Sequence, residues 1–187
     1  MLLRKGALIF NESERMLDMS SFFIALNSQK IWAIEMFCDF GANVDTKSSA
    51  GRSPLFHTAY HGYDDMCMYL SLRCKDIDME DENGKTILLI YLLRKDIDRM
   101  KQLLIRGVNI NHACKAKKWT PLHWAIENKL SSKVVKFLLK NGANPHIEDD
   151  EGKDCCDKAV LVHRYQDIKL FHQKECARDP SLRITSK

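Results

Sequence analysis

His57 and His61 lie four residues apart, the spacing of two ligands on one helix face, and Cys67 follows closely in sequence. Two imidazoles and a thiolate suit zinc, but a structural zinc site needs a third and a fourth ligand converging on the same point. We therefore read the two histidines as groove residues and expect no metal. Cys155 and Cys156 are adjacent thiols, yet nothing cationic is obviously fixed beside them to make a reactive thiolate. Asp64 and Asp65 open a helix, where negative charge is favourable without any catalytic role. His123 closes a Thr120-Pro121-Leu122-His123 run and is read as a structural ring that ties one loop to the next. The chain carries no His-Glu-x-x-His, no phosphate-cradling glycine loop and no nucleophile elbow. These residue types point away from catalysis and away from any cofactor.

What positions these residues is a repeat. Gly6, Gly41, Cys74, Gly107 and Gly142 recur at steps of 35, 33, 33 and 35 residues. A leucine-rich run precedes most of them and a Gly-Ala-Asn-like turn follows: MFCDFGANVD, QLLIRGVNIN, FLLKNGANPH. A period of this length marks a helical solenoid, in which each repeat buries its apolar face only against its neighbours. The spacing gives a partial repeat over 1–16, full repeats over 17–49, 50–82, 83–115 and 116–150, a degenerate capping repeat over 151–176, and a flexible tail at 177–187.

Each repeat predicts two helices. They fall near Ser20–Ser28 and Ile31–Asp39, Pro54–His61 and Asp64–Arg73, Thr86–Lys95 and Ile97–Arg106, Thr120–Asn128 and Ser132–Asn141, then Asp154–His163 and Gln166–Glu175. Ser53-Pro54 and Thr120-Pro121 place a capping hydroxyl before a proline suited to the first turn. Asn11 with Glu14 forms a similar N-cap pair further upstream. Gly41, Gly107 and Gly142 supply the left-handed residue that ends each second helix. Cys74 is expected to hold that conformation without glycine's freedom, at a cost of about 1 kcal/mol.

Composition narrows the class. Of 187 residues, 45% are hydrophobic and 29% charged, and the formal charge is +4, too mild to imply a nucleic-acid partner. No run approaches the 18 apolar residues of a membrane span, and the start lacks a signal-peptide pattern. The seven cysteines, an odd number without a Cys-x-x-Cys pair, are read as reduced thiols of the cytoplasm or nucleus.

Residues 51–84 and 119–152 resemble the ankyrin repeat, the second with the full Thr-Pro-Leu-His signature at 120–123. The third repeat departs, with Ile87-Leu88-Leu89 at the signature and Lys95 where glycine is usual. The fourth holds an extra residue near Lys129–Lys133, another extra residue falls between the third and fourth, and the fifth has Cys155-Cys156-Asp157. The resemblance implies an all-α solenoid of antiparallel helix pairs with hairpin fingers, and a concave ligand face. By that analogy His57, Tyr60, His61, Ile90, Leu93, Arg94, Trp124 and Glu127 line the groove, with Tyr60, Ile90, Leu93 and Trp124 forming an apolar patch.

Lys117, Lys118 and Trp119 mark a basic finger, while Asp81, Glu82, Asp149, Asp150 and Glu151 make its neighbours acidic. The expected function is a protein–protein interaction module that binds, masks or recruits a protein partner, as a regulator or inhibitor. Within that class the chain is similar to NF-kappa-B inhibitor-like proteins and to pathogen- or virus-encoded host-binding ankyrins. The alternative is a scaffolding fragment of a longer array, with self-association at an exposed start around Leu2, Leu3 and Leu8.

Overall fold

The computed structural model of the chain describes residues 21–48 and 51–178, with side chains placed through Phe171. The expectations for 1–20 and 179–187, including the Asn11–Glu14 cap and the tail, lie outside the described residues. Helices α1 (21–27), α2 (Ile31–Asp39), α3 (Pro54–His61), α4 (Asp64–Leu70), α5 (Ile87–Leu93), α6 (Ile97–Ile105), α7 (Pro121–Glu127), α8 (Ser132–Lys140), α9 (Cys155–Leu161) and α10 (Tyr165–Arg178) follow in order. The fold is all-α, with no strand among the described residues. The chain gathers into two compact bodies, Met1–Lys75 and Asp76–Lys187.

In the amino-terminal body, α3 pairs with α4 across a two-residue turn, and Asn27 of α1 touches His57 of α3. Its core holds Phe22, Leu26, Ile34, Leu55, Phe56, Ala59, Cys67 and Leu70, each at most 2% exposed. In the carboxy-terminal body the pairs are α5·α6, α7·α8 and α9·α10, and first helices meet first helices as α5·α7 and α7·α9. The apolar run Ile87–Leu92 of α5, which packs on α6 and α7, is buried along its whole length.

Small polar residues start these helices. Ser53, Thr86 and Thr120 accept the main-chain N–H three residues on, as Asp154 does from Cys156 and Asp157. The ends share a second device. After α3, α5, α7 and α9 the chain turns through a left-handed residue: Gly62, Lys95, Lys129 and His163, all with positive φ. The following N–H reaches back five residues, as in Tyr63 to Thr58 O at 2.8 Å and Asp96 to Tyr91 O at 3.0 Å. Leu130 to Ala125 O and Arg164 to Ala159 O repeat the bond at 2.9 and 2.7 Å.

Second helices close in the same manner at Gly41, Gly107 and Gly142, but α4 does not. Cys74 is not among the residues with positive φ, which corrects the expectation of strain there. Its N–H bonds Leu70 O at 3.0 Å, one residue short of the reach used elsewhere, and its thiol contacts Ser71 O. Among the described residues the strained non-glycine positions are instead Gln29, Lys95, Lys118, Lys129 and His163.

Both extra residues are visible. The link from α7 to α8 spans residues 128–131, against 94–96 between α5 and α6, and Leu130 at 5% exposure is tucked into it. The second lies at the tip of a finger. Three fingers close by an N–H to the carbonyl four residues on, Ser48–Arg52, Asp81–Lys85 and Asp149–Lys153, whereas Cys114 bonds Trp119 O, five residues on. Lys118 takes the left-handed place at that longer tip, where Gly51, Gly84 and Gly152 stand in the others.

Replacing Lys95, Lys118 or Lys129 with glycine should stabilise the carboxy-terminal body by about 0.5–1 kcal/mol each, since the strain removed exceeds glycine's entropy cost. Urea unfolding midpoints read the change. Thr120→Ala should act oppositely, losing about 1 kcal/mol with the α7 cap.

Candidate interaction surfaces

The lengthened finger is the best-defined surface of the carboxy-terminal body. Lys115, Lys117 and Lys118 are exposed at its tip, and Trp119 follows at its base. The Lys117 ammonium sits 4.5 Å from the centre of the Trp119 ring, and Lys158 of α9 sits 3.8 Å from it. Trp119 donates its indole N–H to Asp149 Oδ2 at 3.3 Å and meets Trp124 edge-on, ring centres 5.1 Å apart. The Lys117 carbonyl accepts the Asp150 N–H at 3.1 Å, so neighbouring fingertips are joined.

Beneath the tryptophan lies a buried ion pair. Lys158 Nζ is 3.5 Å from Asp149 Oδ2 and 3.8 Å from Glu127 Oε2, and the Asp149 side chain is 1% exposed. Asp149 Oδ1 accepts the Glu151 and Lys153 N–H groups at 2.9 and 3.0 Å. Burial alone pushes its carboxyl up. Those main-chain bonds, the Lys158 charge and the Trp119 N–H outweigh burial and hold it below the ordinary 3.8. Asp149 is therefore an internal anchor, not the exposed acidic tip expected from sequence. Asp81 also turns to its own loop, accepting from Asn83 and Lys85.

Of the other residues singled out in this body, Ile90 is buried at 8% exposure, which removes it from the apolar patch. Leu93 and Trp124 are half-buried, while Arg94 and Glu127 are exposed. His112 of the same finger is held by Glu80 Oε1 at 2.8 Å. The His123 ring closes its own helix start: Nδ1 accepts the Thr120 N–H at 3.2 Å and meets Thr120 Oγ1 at 2.8 Å. Burial lowers its pKa, opposed by the Lys153 main chain, and Nε2 is enclosed without a hydrogen bond. The ring faces the main chain of Lys153 in the next finger.

The amino-terminal body presents a different face. Asn27 Oδ1 meets His57 Nε2 at 2.8 Å, and the His57 and His61 rings are 4.4 Å apart. Tyr60 is 55% exposed, stacked on Phe56, with the Arg52 guanidinium 4.5 Å from its ring centre. Burial, then the charges of His61 and Arg52, depress the His57 pKa from 6.5 to about 4. His57 thus presents an uncharged ring at neutral pH. Among the described residues no cluster of three or more His, Cys, Asp or Glu side chains could hold a metal ion.

The pairing of Lys158 with Asp149 is not among the expectations drawn from the sequence. A lysine among the apolar positions of α9 was the available signal.

Short helix pairs, several with capped starts and most with left-handed ends, define a helical-repeat architecture. Residues 59–149 match the family model of ankyrin repeats in three copies. The chain is similar to an ankyrin repeat protein of Rickettsia felis, 32% identical over 111 residues, 58% of this chain and 36% of that protein. It is 30% identical over 125 residues to mouse ankyrin repeat and SOCS box protein 11, covering 65% of this chain and 36% of that one. A stretch of 80 residues, 43% of this chain, is 38% identical to yeast palmitoyltransferase AKR1, 10% of whose length is matched. The chain thus spans little more than a third of the first two relatives and a tenth of the third. No helix among the described residues is long and apolar enough to cross a membrane.

Two pH effects follow. An unfolded chain protonates His57 near 6.5 and the folded one near 4, so the amino-terminal body should lose stability as pH falls through that window. Following the His57 ring protons by NMR should give a midpoint near 4, and a midpoint near 6.5 would contradict the burial. Asp149 has a depressed folded pKa, so its contribution is present above 3.8 and lost as pH falls below it. Asp149→Asn should lower stability at neutral pH and flatten the acid limb of the carboxy-terminal body's unfolding curve.

Proposed function

We propose that this chain is a protein-interaction module that binds one protein partner through its finger tips and first-helix faces, and acts by masking or recruiting it as a regulator or inhibitor. The lengthened third finger carries this reading. It projects three lysines next to a tryptophan whose position is fixed by an internal ion pair. Aromatic anchors beside positive charge are typical of interface hot spots, and the charge orients an acidic partner as it approaches. Tyr60 with Arg52, flanked by His57 and His61, offers a second, aromatic contact. The inhibitor-like and host-binding types remain the reading within this class, since fold alone does not choose a partner. The seven cysteines, an odd number without a Cys-x-x-Cys pair, favour a reducing compartment, the cytoplasm or nucleus.

A scaffolding role as part of a longer array is the second reading, favoured by the small share of its relatives that this chain spans.

Capture of partners on immobilised protein separates the two surfaces. A Lys117→Ala, Lys118→Ala variant should retain less of a partner that the intact chain holds, and Tyr60→Ala should lower retention independently. A partner held equally by the intact chain and by both variants would place recognition elsewhere.

A further inference from the structure

Aligned on their closing glycines Gly41 and Gly142, α2 and α8 present the same helix positions with opposite chemistry. On α2 the outward positions are Trp32, Glu35, Met36, Asp39 and Phe40; on α8 they are Lys133, Lys136, Phe137, Lys140 and Asn141. Spacings of three and four put each set on one face. Trp32, Met36 and Phe40 are 61%, 45% and 56% exposed, a run of large apolar groups that a solvated helix face does not need. Helix α2 contains two carboxylates and no basic residue; α8 contains three lysines and no acid.

The helices between them differ. On α6 Asp98 pairs with Lys101 at 2.9 Å, and beside α4 Arg73 covers the Tyr69 ring at 3.8 Å. The α6 face thus pairs charges within itself; at the start of α2 the Lys30 ammonium lies 5.9 Å from the Trp32 ring centre. Glu35, Asp39, Lys133, Lys136 and Lys140 are exposed, and none forms an ion pair among the described residues.

We propose that the chain self-associates by laying α2 of one copy on α8 of a second copy. An antiparallel crossing brings Glu35 to Lys140 and Asp39 to Lys136, with Met36 and Phe137 near the centre. Trp32 and Phe40 then lie against the aliphatic stems and ammonium groups of the lysines. The contact joins two different patches, so it is heterologous and adds copies head to tail unless its rotation closes a ring. It uses neither the fingers nor the first-helix faces, and therefore stands apart from partner binding.

Sedimentation velocity of the full chain at rising concentration tests this, at low and at high salt. Association that weakens with salt is expected. Glu35→Lys with Asp39→Lys, or Lys136→Glu with Lys140→Glu, should each weaken it at least about tenfold. Mixing those two charge-reversed proteins should restore a complex between them. Trp32→Ser, which keeps every charge, should also weaken association, and circular dichroism verifies that each variant is folded. A wild-type chain that stays monomeric at low salt would overturn the proposal. So would association that survives both reversals, or folded reversed variants that fail to combine.

Discussion

Helices of seven to nine residues do not persist alone in water, because nucleation costs more than so few hydrogen bonds return. Every other feature of this chain answers that constraint. Each short helix in α3–α9 must find a partner to cover its apolar face, and the pairs α3·α4, α5·α6 and α7·α8 do so within a single repeat. Pairing leaves one side of each first helix open, and in the carboxy-terminal body α5·α7 and α7·α9 close it. Stability is thus shared among neighbours, and the repeat length in sequence is the length of one such pair with its finger.

Helix ends carry as much of the design as the core. A pair packs only if the chain reverses within a few residues, and the left-handed turn with its five-residue reach-back bond achieves that. Glycine is the natural occupant, yet Lys95, Lys129 and His163 hold the same geometry after α5, α7 and α9. Packing forces the conformation on residues that disfavour it. The strain is tolerated because the surrounding helices over-determine the turn.

The period made the fold legible, and the helix pairs emerge close to the expected bounds: Ile31–Asp39 and Pro54–His61 match to the residue. Caps at Ser53 and Thr120 were equally readable, since a hydroxyl before proline has a local meaning. The surfaces were less so. Tyr60 and Leu93 hold equivalent places in successive repeats, yet Tyr60 is exposed and Leu93 half-buried. Nothing local to either residue encodes that difference; the side chains packed around each decide it. Asp149 misled for the same reason, since its neighbours Asp150 and Glu151 are exposed and charged while it turns inward to two N–H groups and a lysine. Cys74 shows the converse: a missing glycine signalled strain, and the chain avoided it by closing α4 with a shorter-range bond.

The ion pair between Lys158 and Asp149 has a bearing on modularity. Repeat arrays are often treated as interchangeable blocks whose joints are all alike. This joint is not. Helix α9 carries a cation that fits only a repeat ending in a buried aspartate and a tryptophan, and the preceding repeat carries the matching anion. Transplanted onto another array, either half would bring an unmatched charge into an apolar seam. The repeats of α7–α8 and α9–α10 therefore form a keyed pair.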